Sequence, residues 1–265
     1  REYQMIRSLW IAKTGMDAQQ TNLDVITNNL ANSSTTAYKR VQPLFQDLLY
    51  TTIRSAGSAA NAQNLLPTGL QIGAGSAVTA TERTNTQGTL VQTGNQLDIA
   101  IQGNGFFQIQ LADGTTAYTR AGQFSRSATG QIVTTSGNVV SPGLTIPIAA
   151  TSVTISTGGV VSATDQNGNV TQVGQLSMAN FINPAGLVAI GNGNYITSPS
   201  SGNATNGLPG QNGLGVMNQY YIEQSNVNVA EELVNLIAAQ RAYEINTRAV
   251  TASDQILQRV SNMGQ

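Results

Sequence analysis

Few residues in this chain are of types that do chemistry, and their spacing decides little. Thr36-Ala37-Tyr38-Lys39 has the hydroxyl-x-x-Lys spacing of one class of covalent nucleophile, but none of the motifs that accompany that nucleophile follows. Gly103-Asn104-Gly105 could open a dinucleotide loop, where glycines let the backbone approach a pyrophosphate at a helix N-terminus. That fingerprint needs a third glycine at position 108 and a helix there. The sequence has Gln108 inside a strand-like Phe-Phe run, so the glycines read as a hairpin turn. Two-carboxylate catalysis needs converging acids. Between Thr84 and Ile222 the charged residues are Asp98, Asp113, Arg120, Arg126 and Asp165, each alone in sequence. The chain has no Cys and no His, which removes thiol chemistry, disulfides and the side chain most used for metal binding and proton transfer near neutral pH. The expectation is therefore no enzyme, with no catalytic, metal-binding or cofactor-binding residues and no cofactor.

Composition narrows the partners. Charged residues make up 9% of the 265 residues and the net charge is -1. A nucleic-acid partner would require a Lys/Arg-rich patch able to displace counterions, so none is expected. The same shortage disfavours a basic amphipathic helix on a membrane surface. No apolar run approaches the roughly 20 residues that span a bilayer, so direct membrane insertion is not expected. No basic stretch followed by a continuous apolar one opens the sequence, and no cleaved signal peptide is expected. Triplets of the N-glycosylation type at Asn32, Asn169 and Asn203 matter only in a eukaryotic secretory setting, which nothing here supports.

Helical periodicity marks both ends. Residues 5–32 contain no proline, and Leu9, Met16, Leu23 and Leu30 recur every seven positions, with Met5, Ala12 and Ile26 four residues before members of that row. Near the other end Val229, Leu236, Tyr243, Val250 and Leu257 also repeat every seven, widened by Leu233 and by Ala242, Ala249, Ile256 and Met263. Each is a narrow a/d-like seam. Asn226 or Asn228 caps the second helix. Isolated helices are marginal in water, so both seams need partners. Periodicity alone leaves two arrangements open: the helices pair with each other or cover a β core, or they pack against copies of themselves, in which case the free chain has disordered termini.

The middle of the chain is built from short alternating runs such as 97–101, 106–111 and 153–155. Turn dipeptides including Asp113-Gly114, Thr129-Gly130 and Asn167-Gly168 separate them, which predicts a small antiparallel β domain. Residues 55–76, rich in Ala, Gly, Ser, Asn, Gln and Thr, have the composition of a flexible linker. Its far end carries Leu65, Leu66, Leu70 and Ile72 around Pro67, a set able to anchor an extended arm.

The stretch Asn28-Asn29-Leu30-Ala31-Asn32, followed by Thr36-Ala37-Tyr38-Lys39, resembles the N-terminal signature of bacterial flagellar rod, hook and hook-associated proteins. This chain has Ala37 where that family usually has Gly, which predicts a less tight turn. Residues 225–236 with Gln240-Arg241-Ala242-Tyr243-Glu244 resemble the family's C-terminal signature, and Gly103-Asn104-Gly105-Phe106-Phe107 with 113–120 resemble the start of its β domain. The chain has room for only one outer β domain, and Leu48-Leu49-Tyr50 with 66–73 is similar to the distal-rod member. The resemblance implies an α+β fold: long N- and C-terminal helices forming a coiled-coil layer, an irregular extended arm, and one small antiparallel β domain. The divisions expected are 1–34 (N-terminal helix), 35–84 (connecting domain with arm), 85–222 (β-rich outer domain) and 223–265 (C-terminal helix). It further implies a structural subunit of the distal rod, assembling as a homo-oligomeric hollow tube that carries torque to the hook. The partners it implies are other rod subunits and the hook protein, the surrounding P- and L-ring proteins, and the flagellar type III export apparatus. Its place would be the basal body, from periplasm to outer membrane. Leu9, Met16, Leu23, Leu30, Val229, Leu233, Leu236, Tyr243, Val250 and Leu257 are then the interface candidates, Asn28 to Asn32 the family motif, and Leu65, Leu66, Pro67, Leu70 and Ile72 the arm that stiffens the tube. Alternatives are a proximal-rod or hook subunit and, in a different class, a secreted β-rich adhesin with a coiled-coil stalk.

Overall fold

Two long helices bracket a chain that is otherwise strands and turns. The computed structural model describes residues 2–57 and 68–263. Helix α1 is Glu2–Ala31 and helix α2 is Val229–Met263, with twenty strands between them among the described residues. The chain divides into two compact units. The first comprises Arg1–Ala31, Val41–Glu82 and Asn228–Gln265, and the second comprises Asn32–Arg40 and Arg83–Val227.

In the first unit α1 and α2 pack against each other, one of the two arrangements that periodicity left open. Asn228 caps α2: its Oδ1 accepts from the N–H groups of Ala230 at 3.1 Å and Glu231 at 3.4 Å, satisfying orphan donors of the first turn. Glu231 and Glu232 in that turn suit the positive end of the helix dipole. The contact face follows the expected seam only in part, at Ala12 and Ile26. On α1 the buried residues are Ala12, Ala18, Ile26 and Asn29, and on α2 they are Glu232 and Ala239. Gly15 approaches Asn246 so closely that an added Cβ would lie 3.0 Å from its Nδ2. Small and polar residues thus let the backbones come together, whereas a coiled coil buries large a/d knobs. Val229 and Leu233 are exposed, as are Val234, Ile237, Ile245 and Ile256.

The rest of that unit is a two-stranded ribbon. Val41–Asp47 pairs with Ser76–Arg83, and Tyr50–Arg54 pairs antiparallel with Leu70–Gly73. The N–H groups of Leu48 and Ala74 donate to the carbonyls of Gly75 and Leu49 respectively and join the two pairings. Gly75 sits against α1, where a Cβ would overlap the Thr14 hydroxyl, and its φ of +117° suits glycine.

The second unit carries a nine-stranded sheet. Its central strand, Phe106–Gln110, pairs on one edge with Thr116–Thr119. Its other edge is shared between Val139–Val140 and Met178–Asn180. A three-stranded antiparallel sheet, Ala150–Ile155, Val160–Asp165 and Val170–Gln175, lies in the same unit. Ile99, Ile101, Phe107, Ile109, Phe124, Ile132, Ile146, Leu176 and Met217 fill the core. A second cluster stacks Phe106, Tyr118, Phe181 and Tyr195 edge to face.

The expected fold class is thereby corrected. The helices exist, but of the heptad seam only Ala12 and Ile26 are fully buried among the described residues, the large row at Leu9, Met16, Leu23 and Leu30 being half-buried, so they do not form a coiled coil of that kind. The chain is mostly β-rich, with several sheets rather than one small domain. The expected irregular arm is in its described parts a paired hairpin: Leu70 and Ile72 belong to Leu70–Gly73, whereas Leu65, Leu66 and Pro67 lie outside the described residues. Composition misled because Gly, Ser and Thr alternate with single apolar residues here, and backbone pairing across the ribbon, which composition does not encode, supplies the order.

Asn29 shows what the amide-rich end of α1 does. Its Nδ2 donates to the Val41 carbonyl at 2.7 Å and its Oδ1 accepts the Val41 N–H at 3.0 Å. The side chain stands in for a sheet partner at the start of the ribbon. Asn29→Ala leaves both backbone groups of Val41 without their partner in a largely buried place. It is expected to cost about 1–3 kcal/mol, read as a fall in the urea midpoint of the first unit.

Candidate functional site

The most constrained chemistry in the chain is a buried ion cluster in the second unit. Lys39, Arg120 and Glu223 are 3%, 6% and 1% exposed, in a protein with 9% charged residues. Buried charge is costly unless it is paired and hydrogen-bonded, and each member here is. Lys39 Nζ donates to Glu223 Oε1 at 2.5 Å and to the Thr86 carbonyl at 2.7 Å. Arg120 Nε donates to Glu223 Oε2 at 3.1 Å, and its Nη1 donates to the carbonyls of Gly103 at 2.9 Å and Gly105 at 2.7 Å. Glu223 Oε1 also accepts the Gly88 N–H at 2.9 Å. Only glycine allows that approach, because a Cβ at position 88 would overlap the Gln224 carbonyl.

Neighbouring contacts extend the cluster through the backbone. Ala37 donates its N–H to the Glu223 carbonyl at 2.8 Å. Ala37 has φ of 56°, in the left-handed region. The bond to Glu223 holds it there against a cost of about 1–2 kcal/mol. Asn226, which does not cap α2, accepts the Arg40 N–H at 2.7 Å through Oδ1 and donates through Nδ2 to the Thr84 carbonyl at 2.9 Å. Segments 37–40, 84–88, 103–105 and 223–226 are thus tied side by side.

Electrostatics in the cluster are unbalanced. Two cations face one carboxylate. Burial pushes the Lys39 ammonium below its ordinary value, Glu223 pulls it back up, and Arg120 adds to the lowering. Burial likewise raises the Tyr195 phenol, whose ring carries the Arg83 guanidinium 4.7 Å from its centroid.

The predicted site residues fall elsewhere. Leu9, Met16, Leu23 and Leu30 on α1 and Leu236, Tyr243 and Val250 on α2 are half-buried, Val229 and Leu233 are exposed, and the Leu257 side chain lies outside the described residues. Of the family motif, Asn29 is buried, Leu30 and Asn32 are half-buried, and Asn28 and Ala31 are exposed. Leu70 and Ile72 are exposed. Sequence reasoning quoted Lys39 and Arg120 inside motif stretches without assigning them a role, and passed over Glu223. A signal was present: Arg120 is one of two cations in the charge-poor middle, where an isolated charge needs a reason.

Three family profiles match the chain. They are "Flagella basal body rod protein" over residues 9–39, "Flagellar hook protein FlgE/F/G D1 domain" over 100–163, and "Flagellar basal body rod FlgEFG protein C-terminal" over 218–263. Lys39, Arg120 and Glu223 fall one in each. The flagellar basal-body rod protein FlgG of Buchnera aphidicola (subsp. Acyrthosiphon pisum) is 49% identical over 98% of this chain and 100% of its own length. FlgG of Agrobacterium fabrum is 47% identical, covering 97% and 98%, and FlgG of Bacillus subtilis is 39% identical, covering 98% and 99%. The chain belongs to the flagellar basal-body rod protein family. It is a structural component of the flagellum, and its ion cluster draws one residue from each stretch by which the family is recognised.

Replacing Glu223 with Gln keeps the shape but leaves two buried cations without a counter-charge. The expected loss is about 3–5 kcal/mol, seen as a lowered denaturation midpoint of the second unit. The lowered Lys39 value has a second consequence. Between its folded value and 10.5 the unfolded chain binds more protons, so this group makes stability rise with pH across that window. The stability of the parent relative to Lys39→Met should therefore grow as pH is raised through it, measured by urea unfolding at a series of alkaline pH values.

Proposed function

We infer that the chain works as the structural subunit of the distal rod of the flagellar basal body, a mechanical part with no reaction to catalyse. The observation that carries this reading is the near full-length likeness to rod proteins, joined to a fold whose most buried chemistry is spent on holding segments together. The subunit assembles with its own copies into a hollow tube and passes motor torque to the hook. Other rod subunits and the hook protein meet it at the ends, and P- and L-ring proteins surround it between periplasm and outer membrane. The chain reaches that place through the flagellar type III export apparatus.

Two surfaces support self-assembly. On α2, Val234, Ile237, Ile245 and Ile256 are exposed, an apolar stripe that costs free energy until covered. The ribbon exposes Leu44, Phe45, Leu49, Tyr50, Ile53, Leu70 and Ile72, and two-stranded ribbons are marginal alone. In this reading the segment that carries Leu65, Leu66, Pro67, Leu70 and Ile72 lies on a neighbouring copy and stiffens the tube. Half-buried Leu9, Met16, Leu23, Leu30, Leu236, Tyr243 and Val250 support the helices behind the contact.

Ile245→Asp removes no intrachain packing of note and is expected to change monomer stability by less than about 0.5 kcal/mol while preventing polymerisation. Electron microscopy of polymerising chain would show tubes for the parent and none for the variant. Tubes from the variant would place the stripe outside the contact. Removal of residues 55–72 is expected to leave polymers that grow but bend, read as a shortened persistence length in micrographs.

A further inference from the structure

A pocket of about 230 Å3 opens beside the ion cluster, within the second unit. Lys39, Asn85, Asn104, Phe106, Arg120 and Asn180 line it. Its two cationic side chains are more than nine-tenths buried, and neither has used all its donors. A guanidinium has five N–H groups. In Arg120, Nε and Nη1 are engaged with Glu223, Gly103 and Gly105, while Nη2 has no acceptor among the described residues. Nη2 is also not among the buried polar atoms sealed from solvent. Lys39 Nζ spends two of its three protons, on Thr86 and Glu223. The cluster carries one positive charge more than Glu223 can neutralise.

We propose that this pocket binds a carboxylate group. Arg120 Nη2 and the remaining Lys39 proton supply charge-assisted donors to its two oxygens. The neutral amides of Asn85, Asn104 and Asn180 complete the wall, and the Phe106 ring gives an apolar surface for a methylene or methyl stem. A monoanion balances the excess charge, whereas a dianion such as phosphate would replace it with a negative excess. The volume suits an acetate or the end of an Asp or Glu side chain; a water molecule takes about 30 Å3. The chain exposes several such acids, Asp24 and Asp47 among them, so a second copy can supply the group.

Titration of the full chain, dilute enough to be monomeric, with sodium acetate against sodium chloride at equal ionic strength tests the proposal without depending on polymer formation. Backbone amide shifts from 1H–15N spectra are the readout. Saturable shifts at residues 104–106 and 180–182 with acetate alone are expected. The isosteric variant Asn104→Asp, at an exposed position, supplies a competing carboxylate in the wall. It is expected to weaken acetate by about tenfold, the loss of roughly one charge-assisted hydrogen bond, with an unchanged thermal midpoint. Acetate shifts no larger than those with chloride, or spread over the surface, overturn the proposal. So does equal acetate affinity in the variant. Raising the protein concentration then separates the sources. The same amides shifting, and acetate reversing the shift, assigns the carboxylate to a second copy; amides that stay still during self-association assign it to a small free acid.

Discussion

The Glu223 carboxylate is the one charge on which the second unit depends. It is closed off from water, and it meets Lys39 and Arg120 as well as the Gly88 N–H. Lone ions in a protein interior cost several kcal/mol each, so no member of the trio is stable there until the other two arrive. The three come from positions 39, 120 and 223, far apart in sequence. The cluster therefore selects a single arrangement of distant segments, and its energetic value lies more in excluding alternatives than in net attraction.

That constraint explains how residues 32–40 come to belong to the second unit while their neighbours on both sides belong to the first. Ala37 is held by the Glu223 carbonyl, Lys39 by the carboxylate, and Arg40 by Asn226. Thr84 and Thr86, where the chain returns to the second unit, offer their carbonyls to Asn226 and Lys39. The chain is thus fixed close to the points where it passes between the units.

The first unit follows a different logic. Its helices meet through Ala12, Gly15, Ala18 and Ala239, with Asn29 beside Glu232, residues that contribute closeness but little apolar area. Several larger apolar side chains of α2, Val234, Ile237, Ile245 and Ile256, stay on the outside. By the usual scale of roughly 1.5–3 kcal/mol for each such side chain fully buried, these side chains leave hydrophobic energy unspent in the single chain.

Several features were settled by the sequence alone. The missing Cys and His, the sparse charge and the unaccompanied Gly103-Asn104-Gly105 excluded whole classes of chemistry. Heptad spacing marked both helices, and four motif stretches carried the family, because local pattern and residue type suffice for such inferences. Tertiary structure decided the rest. Heptad spacing names a stripe but not which of its members are buried, and here the closest approach went to small residues, Ala12 within that stripe and Gly15, Ala18 and Ala239 beside it. Composition read residues 55–76 as linker and missed the pairing of Leu70–Gly73, because strand pairing is a relation between distant backbones that no local window contains. Lys39, Arg120 and Glu223 look like three unrelated charges in one dimension. Only folding removes the water around them, and without water two cations and a carboxylate must find one another.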